Sequence, residues 1–458
     1  MLVQSSVQAL AFTSVSLQKS MGIELAAKLP NLPISQLIFD NSNFAKSSLK
    51  FFARTPDVFK NVTSLTIRTD SIQNEYLNDL ANLVISSHLR NLSVVDCGLD
   101  INAFLSLVSV YADNLELETI DLSKNLMVES YNGKFRFPSS LTSLTLNRVE
   151  WCGQSYATFL TKQTFSSYIT LSISRPKINQ NDFNVLLTTL PERSLNPTIV
   201  NLCMDDSVIF GRLLNLITKN VNITSLSLSR CHFPKNEKSA VLTSLKELLS
   251  NSTVEQLSLK QTLKPMKSQA LEELKSALIQ HPGMDRLNLD ENEIGDEGLN
   301  ILYEIISNND RIRHISFDGA ALSSPSVLIS FIKKIADIPH IDCILKPKND
   351  VQLFTEKFGA KFHSKFQNAW TKMKKSTVIQ EDRVLAWEDD TDQSTSAASQ
   401  LMYSQVPNSY ENMEIKQFDE VEASWEFDIE IPESSNEEEW KLLEKRFSYK
   451  RLVGLGHV

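Results

Sequence analysis

The residues best suited to chemistry are seven histidines and five cysteines, and they are scattered along the chain. The sequence has no Cys-x-x-Cys pair and no His-Glu-x-x-His, the spacings that commonly hold zinc. The phosphate-binding pattern Gly-x-x-x-x-Gly-Lys-Ser/Thr and the Gly-x-Ser-x-Gly nucleophile elbow are missing too. His314 lies within a clear strand pattern, where a solvent-facing role is the simpler interpretation. We therefore predict no catalytic, cofactor-binding or metal site, and a protein that is not an enzyme.

Charge is distributed unevenly along the 458 residues, which carry a formal net charge of -9. Residues 381–440 hold eighteen Asp and Glu against two basic residues, whereas residues 351–377 hold six Lys against Glu356. Nucleic-acid binding is not predicted, because the acidic block would compete for the same basic side chains. The odd number of cysteines and the lack of a basic, apolar leader predict a cytoplasmic protein. No apolar run approaches the ~20 residues of a membrane helix.

The elements that must position any binding residue are copies of a short pattern, Leu-x-x-Leu-x-Leu, with other apolar residues allowed at the Leu positions. We call the fourth residue of each copy its marker. The markers, spaced 24 to 31 residues apart, are Leu10, Leu37, Leu65, Leu92, Ile120, Leu144, Leu171, Leu202, Leu226, Leu257, Leu287, Ile315 and Ile341. Alternating side chains place two apolar residues on one face of a strand. Stacking of such strands into a parallel sheet is predicted, because one alone cannot bury its face.

The segments between the strand patterns are predicted helices, with apolar residues at three- and four-residue spacing. They include Ser239–Leu249, Leu271–Ile279 and Leu299–Ile306. Residues 287–302, LNLDENEIGDEGLNIL, resemble the ribonuclease-inhibitor-like class of leucine-rich repeats. The resemblance implies an α/β solenoid: a leucine-rich-repeat horseshoe with a concave parallel sheet and convex helices. The composition after the repeats predicts that a mostly irregular tail follows.

In that family, a polar side chain after each strand points inward and hydrogen-bonds the backbone of neighbouring turns. The matching residues here are Asn125, Asn292, Cys97 and Cys231. Val149 and Thr262 depart from the family pattern, so their turns require another solution.

Three regions are predicted along the chain. Residues 1–346 form the solenoid of about 12 to 13 repeats. Residues 347–377 form an amphipathic helix with basic flanks, whose aromatic stripe is Phe354, Phe358, Phe362, Phe366 and Trp370. We interpret that helix as a C-terminal cap; recognition of a protein groove or of an acidic membrane is the alternative. Residues 378–458 form an acidic, flexible tail.

The tail contains short apolar segments that could bind other proteins. Trp425 and Phe427 alternate with acidic residues, which suits addition to a sheet edge. Trp387 and Trp440 are two further candidate docking points. For all four, a solvated stretch with an incidental aromatic residue is the alternative.

Partner-binding residues are predicted on the concave face toward the C-terminal end of the array, where the side chains become charged or larger. The candidates are Lys260, Arg286, Asn288, Asp290, His314, Ser316 and Asp318. Arginine and other large side chains dominate the energetics of protein interfaces. An ordinary solvated strand surface is the alternative interpretation.

These features predict a non-enzymatic scaffold that binds one or more proteins through its solenoid and tail. Two alternatives stay open. Actin-cytoskeleton regulators of the CARMIL-like type are similar in having a long array, a helical segment and a motif-bearing tail, but their basic capping-protein motif is missing here. GTPase-activating proteins of the Ran type resemble the chain in having such repeats and an acidic tail, and they use an arginine on a loop. Arg148 and Arg230 occupy comparable turns here.

Overall fold

The computed structural model describes residues 7–55, 57–128, 134–163, 165–190, 195–234 and 237–376. Thirteen strands within these ranges form one parallel sheet, whose order follows the chain. Those strands are β1 (Ala9–Thr13), β2 (Gln36–Asp40), β3 (Ser64–Arg68), β4 (Asn91–Val95), β5 (Thr119–Asp121), β7 (Ser143–Thr145), β9 (Ile169–Ser172), β11 (Ile199–Cys203), β12 (Ser225–Ser227), β13 (Gln256–Ser258), β14 (Arg286–Asn288), β15 (His314–Ser316) and β16 (Cys343–Ile344). The predicted α/β solenoid of leucine-rich-repeat type is confirmed.

The marker residues set the register of this sheet. Each pairs directly with the marker of the next repeat, as in Leu257 with Leu287 and Leu287 with Ile315. The first twelve predicted markers lie in this register. The thirteenth prediction, Ile341, was wrong, because the residue that pairs with Ile315 is Ile344. Ile341 occupies the first position of the final copy. In that copy Lys346 stands where the pattern expects its last leucine, and the strand has only two residues. The pattern therefore did not determine which residue is the marker.

Helices connect the strands and cover one face of the sheet. They are α1 (Lys19–Lys28), α2 (Lys50–Arg54), α3 (Asn74–Ile85), α4 (Ile101–Ser109), α5 (Ser155–Lys162), α6 (Gln180–Thr189), α7 (Gly211–Thr218), α8 (Lys238–Asn251), α9 (Lys267–Gln280), α10 (Gly295–Asn308), α11 (Pro325–Ile335), α12 (Lys348–Phe358) and α13 (Ala360–Ser376). The three helices predicted by periodicity are present as α8, α9 and α10, each longer at both ends. Their apolar stripes, such as Leu271, Leu274 and Leu278, are buried together with the markers in one core. We call the opposite side of the sheet its open face.

Polar side chains just after the strands connect adjacent repeats by hydrogen bonds to the backbone. The Asn125 Oδ1 accepts hydrogen bonds from the Cys97 and Leu99 amides at 3.0 and 3.1 Å. Its Nδ2 donates to the carbonyl of Val94 at 2.6 Å. Asn292 acts in the same way one repeat after Thr262. The Thr262 hydroxyl replaces the amide group, since it accepts from the Cys231 amide at 3.1 Å and donates to the Leu228 carbonyl.

Val149 cannot form such hydrogen bonds, and its repeat uses the backbone instead. Three two-residue strands, β6 (Leu126–Met127), β8 (Glu150–Trp151) and β10 (Lys177–Ile178), form a second parallel sheet. The Val149 carbonyl accepts from the Lys177 amide at 2.9 Å, at the entry to β10. This small sheet satisfies the turn while the Val149 side chain stays buried.

A left-handed residue recurs four positions after the marker, with φ between 48° and 70° in twelve repeats. These residues are Ser14, Asn41, Thr69, Asp96, Lys124, Arg148, Arg175, Asp206, Arg230, Gln261, Glu291 and Gly319. Eleven are not glycine, although this conformation costs an L-residue roughly 1–2 kcal/mol. The amide of each of the eleven donates to a carbonyl of the next repeat, as Arg148 does to Ser174 at 2.8 Å. That repeated bond offsets the local cost and fixes the turn.

The C-terminal segment predicted as one helix consists of α12 and α13, separated at Gly359. This glycine adopts φ 68° and ψ -162°, a combination open essentially to glycine alone. Phe354, Phe362 and Trp370 are buried in the core shared with the repeats. Phe358 is 47% exposed, because the break before α13 ends the four-residue stripe.

Candidate functional site

The sheet register brings the predicted partner-binding residues together on the open face. Arg286 lies directly between Gln256 and His314, and Asn288 lies between Ser258 and Ser316. Neighbouring strands are about 4.8 Å apart, so these residues form two rows across β13, β14 and β15. The first row carries long side chains and the second carries short ones.

Asp285, which immediately precedes β14, lies close to two of the long side chains of the first row. The Asp285 Oδ2 lies 3.4 Å from the Arg286 Nε and 3.3 Å from the His314 Nδ1. The arginine contact is a hydrogen bond, whereas the histidine contact has an ion-pair distance without hydrogen-bond geometry. One half-buried carboxylate therefore hydrogen-bonds Arg286 and lies beside His314, and both side chains remain partly exposed.

The short side chains of Asn288 and Ser316 in the second row are buried, as is Asp290, two residues after Asn288. Asn288, Asp290 and Ser316 are 5%, 8% and 2% exposed. The Asn288 Oδ1 accepts from the Asp290 amide at 2.9 Å. The Asp290 Oδ1 accepts from the Ser316 hydroxyl and from the Asp318 amide, the latter at 2.6 Å. In this arrangement these three side chains form the floor of the surface, and a partner would contact the residues around them.

Burial raises the pKa of Asp290 to about 6, and the hydrogen bonds from Ser316 and Asp318 only partly oppose that rise. Asp205 occupies the same repeat position and is built alike. It accepts from the Ser227 hydroxyl at 2.6 Å and from the Ser229 amide at 2.8 Å. Burial raises the pKa of Asp205 as well. The same arrangement of a buried aspartate, a serine hydroxyl and a backbone amide therefore occurs in two repeats.

Lys260 and Asp318 border the floor and remain partly exposed. The Lys260 Nζ lies 3.3 Å from the Glu291 Oε1. The Asp318 carboxylate accepts from the Asn349 and Asp350 amides at 3.0 and 3.2 Å. Asp318 therefore holds the first turn of α12, a contact that the strand pattern does not predict.

Gln256 has the same register position as Arg286 and His314, and the strand spacing places it on this face. Asp285 is the member of this surface that the strand pattern does not predict. Asp285 stands in the second position of its repeat, and nothing in the pattern indicates that its carboxylate faces the row.

The two turn arginines considered for catalysis differ in their surroundings. The Arg230 Nε and one Nη bind the two carboxylate oxygens of Asp206, each at 3.0 Å. Arg175 also contacts Asp206, at 3.2 Å. The Arg230 guanidinium is thus committed to a bidentate pair within the protein. Arg148 occupies the same turn position and is half-buried.

The four predicted tail motifs, Trp387, Trp425, Phe427 and Trp440, lie outside the described residues. Within the described ranges, no group of three or more His, Cys, Asp and Glu side chains is arranged to hold a metal ion. In the same ranges, no helix combines the length and apolarity needed to cross a membrane.

Comparison with known proteins gives likeness of fold only. No family model matches the chain. No curated protein matches it either. Similar solved structures include a chain of the Rad7 and Elc1 complex in yeast, 14% identical, covering 76% of this chain and 83% of that chain with a TM-score of 0.40. Another is the leucine-rich repeat-containing protein LegL7 from Legionella pneumophila, 15% identical, covering 73% and 81% with a TM-score of 0.30. These low values support no conclusion on function.

Proposed function

We propose that this protein is a non-enzymatic scaffold that binds another protein on the open face of β13 to β15. The observation that carries the proposal is the pairing of a rigid floor with oriented long side chains. Asn288 and Asp290 are hydrogen-bonded within their repeat, and Asp290 is hydrogen-bonded to Ser316 of the next. These side chains are therefore already ordered before a partner binds. Arg286 is already hydrogen-bonded to Asp285, which lowers the entropic cost of fixing this side chain in a complex.

The chemistry of this surface favours a partner with acceptor groups. Arg286 keeps guanidinium donors beyond its single 3.4 Å contact with Asp285, and planar guanidinium groups bind carboxylates in pairs of hydrogen bonds. His314 and Gln256 flank Arg286 in the same row. We infer that a carboxylate or backbone carbonyl of the partner binds at Arg286, with His314 packing beside it.

We also propose that the repeats are of the ribonuclease-inhibitor-like class and that the protein is cytoplasmic. The polar residues after the strands and the helix lengths support membership of the ribonuclease-inhibitor-like class. A cytoplasmic location is supported by the five cysteines, which are all free thiols.

Affinity purification from the source cell with matched variants tests the proposal. The variant Arg286→Ala with His314→Ala removes both long side chains while leaving the floor intact. The control, Arg311→Ala with His363→Ala, removes the same residue types from exposed positions outside the sheet. We expect a protein recovered with the wild type and the control but lost with the first variant, at unchanged melting temperature.

Two results would count against the scaffold. One is recovery of the same proteins by all three baits, which would show that the open face is not the binding surface. The other is acceleration of GTP hydrolysis by a small GTPase that disappears in Arg148→Ala. The latter would replace the scaffold by the GTPase-activating alternative.

A further inference from the structure

One edge of the main sheet is a five-residue strand with a single neighbour among the described residues. β1 pairs with β2 through all five positions from Ala9 to Thr13. In the described part of the chain, no strand pairs with its other side. A strand in that position presents unpaired amides and carbonyls that another strand can bind.

The hydrogen-bond phase identifies the outward-facing groups of β1. The Gln8 carbonyl accepts from the Gln36 amide at 3.1 Å, and the Ser14 amide donates to the Asp40 carbonyl at 2.9 Å. In a parallel pair, alternate residues bond the same neighbour. Even-numbered residues therefore face β2, and the amides and carbonyls of Ala9, Ala11 and Thr13 face outward.

This edge lacks the features that normally prevent strand pairing. Proteins protect exposed edges with lysine, proline, bulges or very short strands. Residues 7–18 contain no charged residue and no proline. The opposite edge is protected, because β16 has two residues and Pro347 follows shortly after it.

Apolar side chains are concentrated around the same edge. Val7, Val15, Met21 and Ile23 are each 40–45% exposed. Leu10 and Phe12, the inward residues of β1, are only partly buried, whereas Leu37 and Phe39 in β2 are fully buried. The core is thus incomplete on the outer side of the first repeat.

We propose that β1 pairs antiparallel with β1 of a second copy of this chain, forming a two-fold dimer with one continuous sheet. Centred on Ala11, the pairing aligns all five residues, with Ala9 opposite Thr13 of the other copy. Ala11 faces its own equivalent as a hydrogen-bonded pair. The three outward-facing residues of each copy then exchange six hydrogen bonds.

The same two-fold axis also completes the core. It is perpendicular to the sheet, so the helices of both copies lie on the same side. Leu10 of each copy then lies opposite Phe12 of the other, and such cross-strand apolar pairs stabilise a sheet. Two-fold interfaces bury the same patch on both subunits. The uncharged strand favours a second copy because it meets its equivalent without like-charge repulsion.

Sedimentation equilibrium of the full chain tests this inference, with Ala11→Pro as the main variant. Proline removes the outward amide without touching a bond to β2, and it is tolerated on an edge strand at such a position. Two hydrogen bonds are lost per dimer, each contributing roughly fivefold, so the dissociation constant should rise by about twenty-five-fold. The control Ala11→Ser keeps the amide and should dimerise like the wild type.

Ala11→Lys provides a second variant that keeps the amide but places like charges directly opposite each other. We expect it to weaken the dimer as well, more strongly at low salt. Circular dichroism of each variant checks that the array stays folded. A wild type that is monomeric throughout the concentration series, or a dimer that survives both Ala11→Pro and Ala11→Lys, would overturn the proposal. Because neither outcome involves β13 to β15, it leaves the proposed partner surface untouched.

Discussion

The floor of the open face should make stability depend on pH through one carboxyl group, and Asp290→Asn isolates it. Burial raises the pKa of Asp290 from an ordinary value of 3.8 to about 6. The folded protein therefore favours the protonated acid, and at neutral pH it holds a buried carboxylate. Asparagine keeps an acceptor oxygen for the Ser316 hydroxyl and the Asp318 amide but does not titrate.

The size and sign of the effect follow from linkage between proton binding and folding. A pKa raised by roughly two units corresponds to about 3 kcal/mol. Between pH 3.8 and about 6, the folded state binds more protons than the unfolded state. The contribution of Asp290 is therefore fully present below that window and is lost as the pH rises through it. Asp290→Asn should be the more stable protein at neutral pH, by up to about 3 kcal/mol.

Denaturant unfolding followed by far-ultraviolet circular dichroism, at pH values below and above this window, measures the difference between the two proteins. Asp310→Asn is the matched control, because its carboxylate is exposed on the following loop. We expect the difference from wild type to grow with pH for Asp290→Asn and to stay constant for the control. Equal pH dependence in all three proteins would refute the burial argument.

Three further outcomes follow from the described contacts. Asn292→Ala should destabilise the array by about 3 kcal/mol, because it removes three buried hydrogen bonds; the exposed Asn308→Ala, measured by the same denaturation, should change it little. Trp370→Ala should cost roughly 3–5 kcal/mol by removing a buried ring from the C-terminal helices; a melting temperature lowered no more than by Phe358→Ala would contradict this packing. Burial raises the pKa of the Cys97 thiol to about 12, so a thiol reagent should modify it only as the protein unfolds; rapid labelling of native protein, detected by mass spectrometry, would argue otherwise.

The fold was predictable because its signal is redundant. A marker such as Leu257 has equivalent residues in the repeats on both sides. The register of a weak copy can therefore be predicted from the spacing to its neighbours. The prediction of Ile341 as a marker was wrong because the final repeat has a neighbouring repeat on one side only and a two-residue strand. Val149 was recognised as a departure, but its solution lies in backbone pairing between repeats, which side-chain patterns do not report.

The candidate site was less predictable, because burial on an open strand surface depends on the neighbouring strands. Asn288 and Asp290 occupy positions that alternate outward, which predicts solvent exposure. Neighbouring side chains and carboxylate–amide bonds bury them instead. Arg286 and His314 lie on the face that the alternation predicts, but the role of Asp285 becomes visible only in three dimensions. Their binding role remains a prediction.

The left-handed turns carry a consequence for how such a protein could change its specificity. Eight residue types, from serine and threonine to arginine and glutamate, occupy one backbone position in eleven successive repeats. Since a main-chain hydrogen bond to the next repeat closes each of these eleven turns, folding does not fix the identity of the side chain there. That border of the sheet can therefore acquire or lose recognition groups one repeat at a time, while the architecture beneath it stays constant.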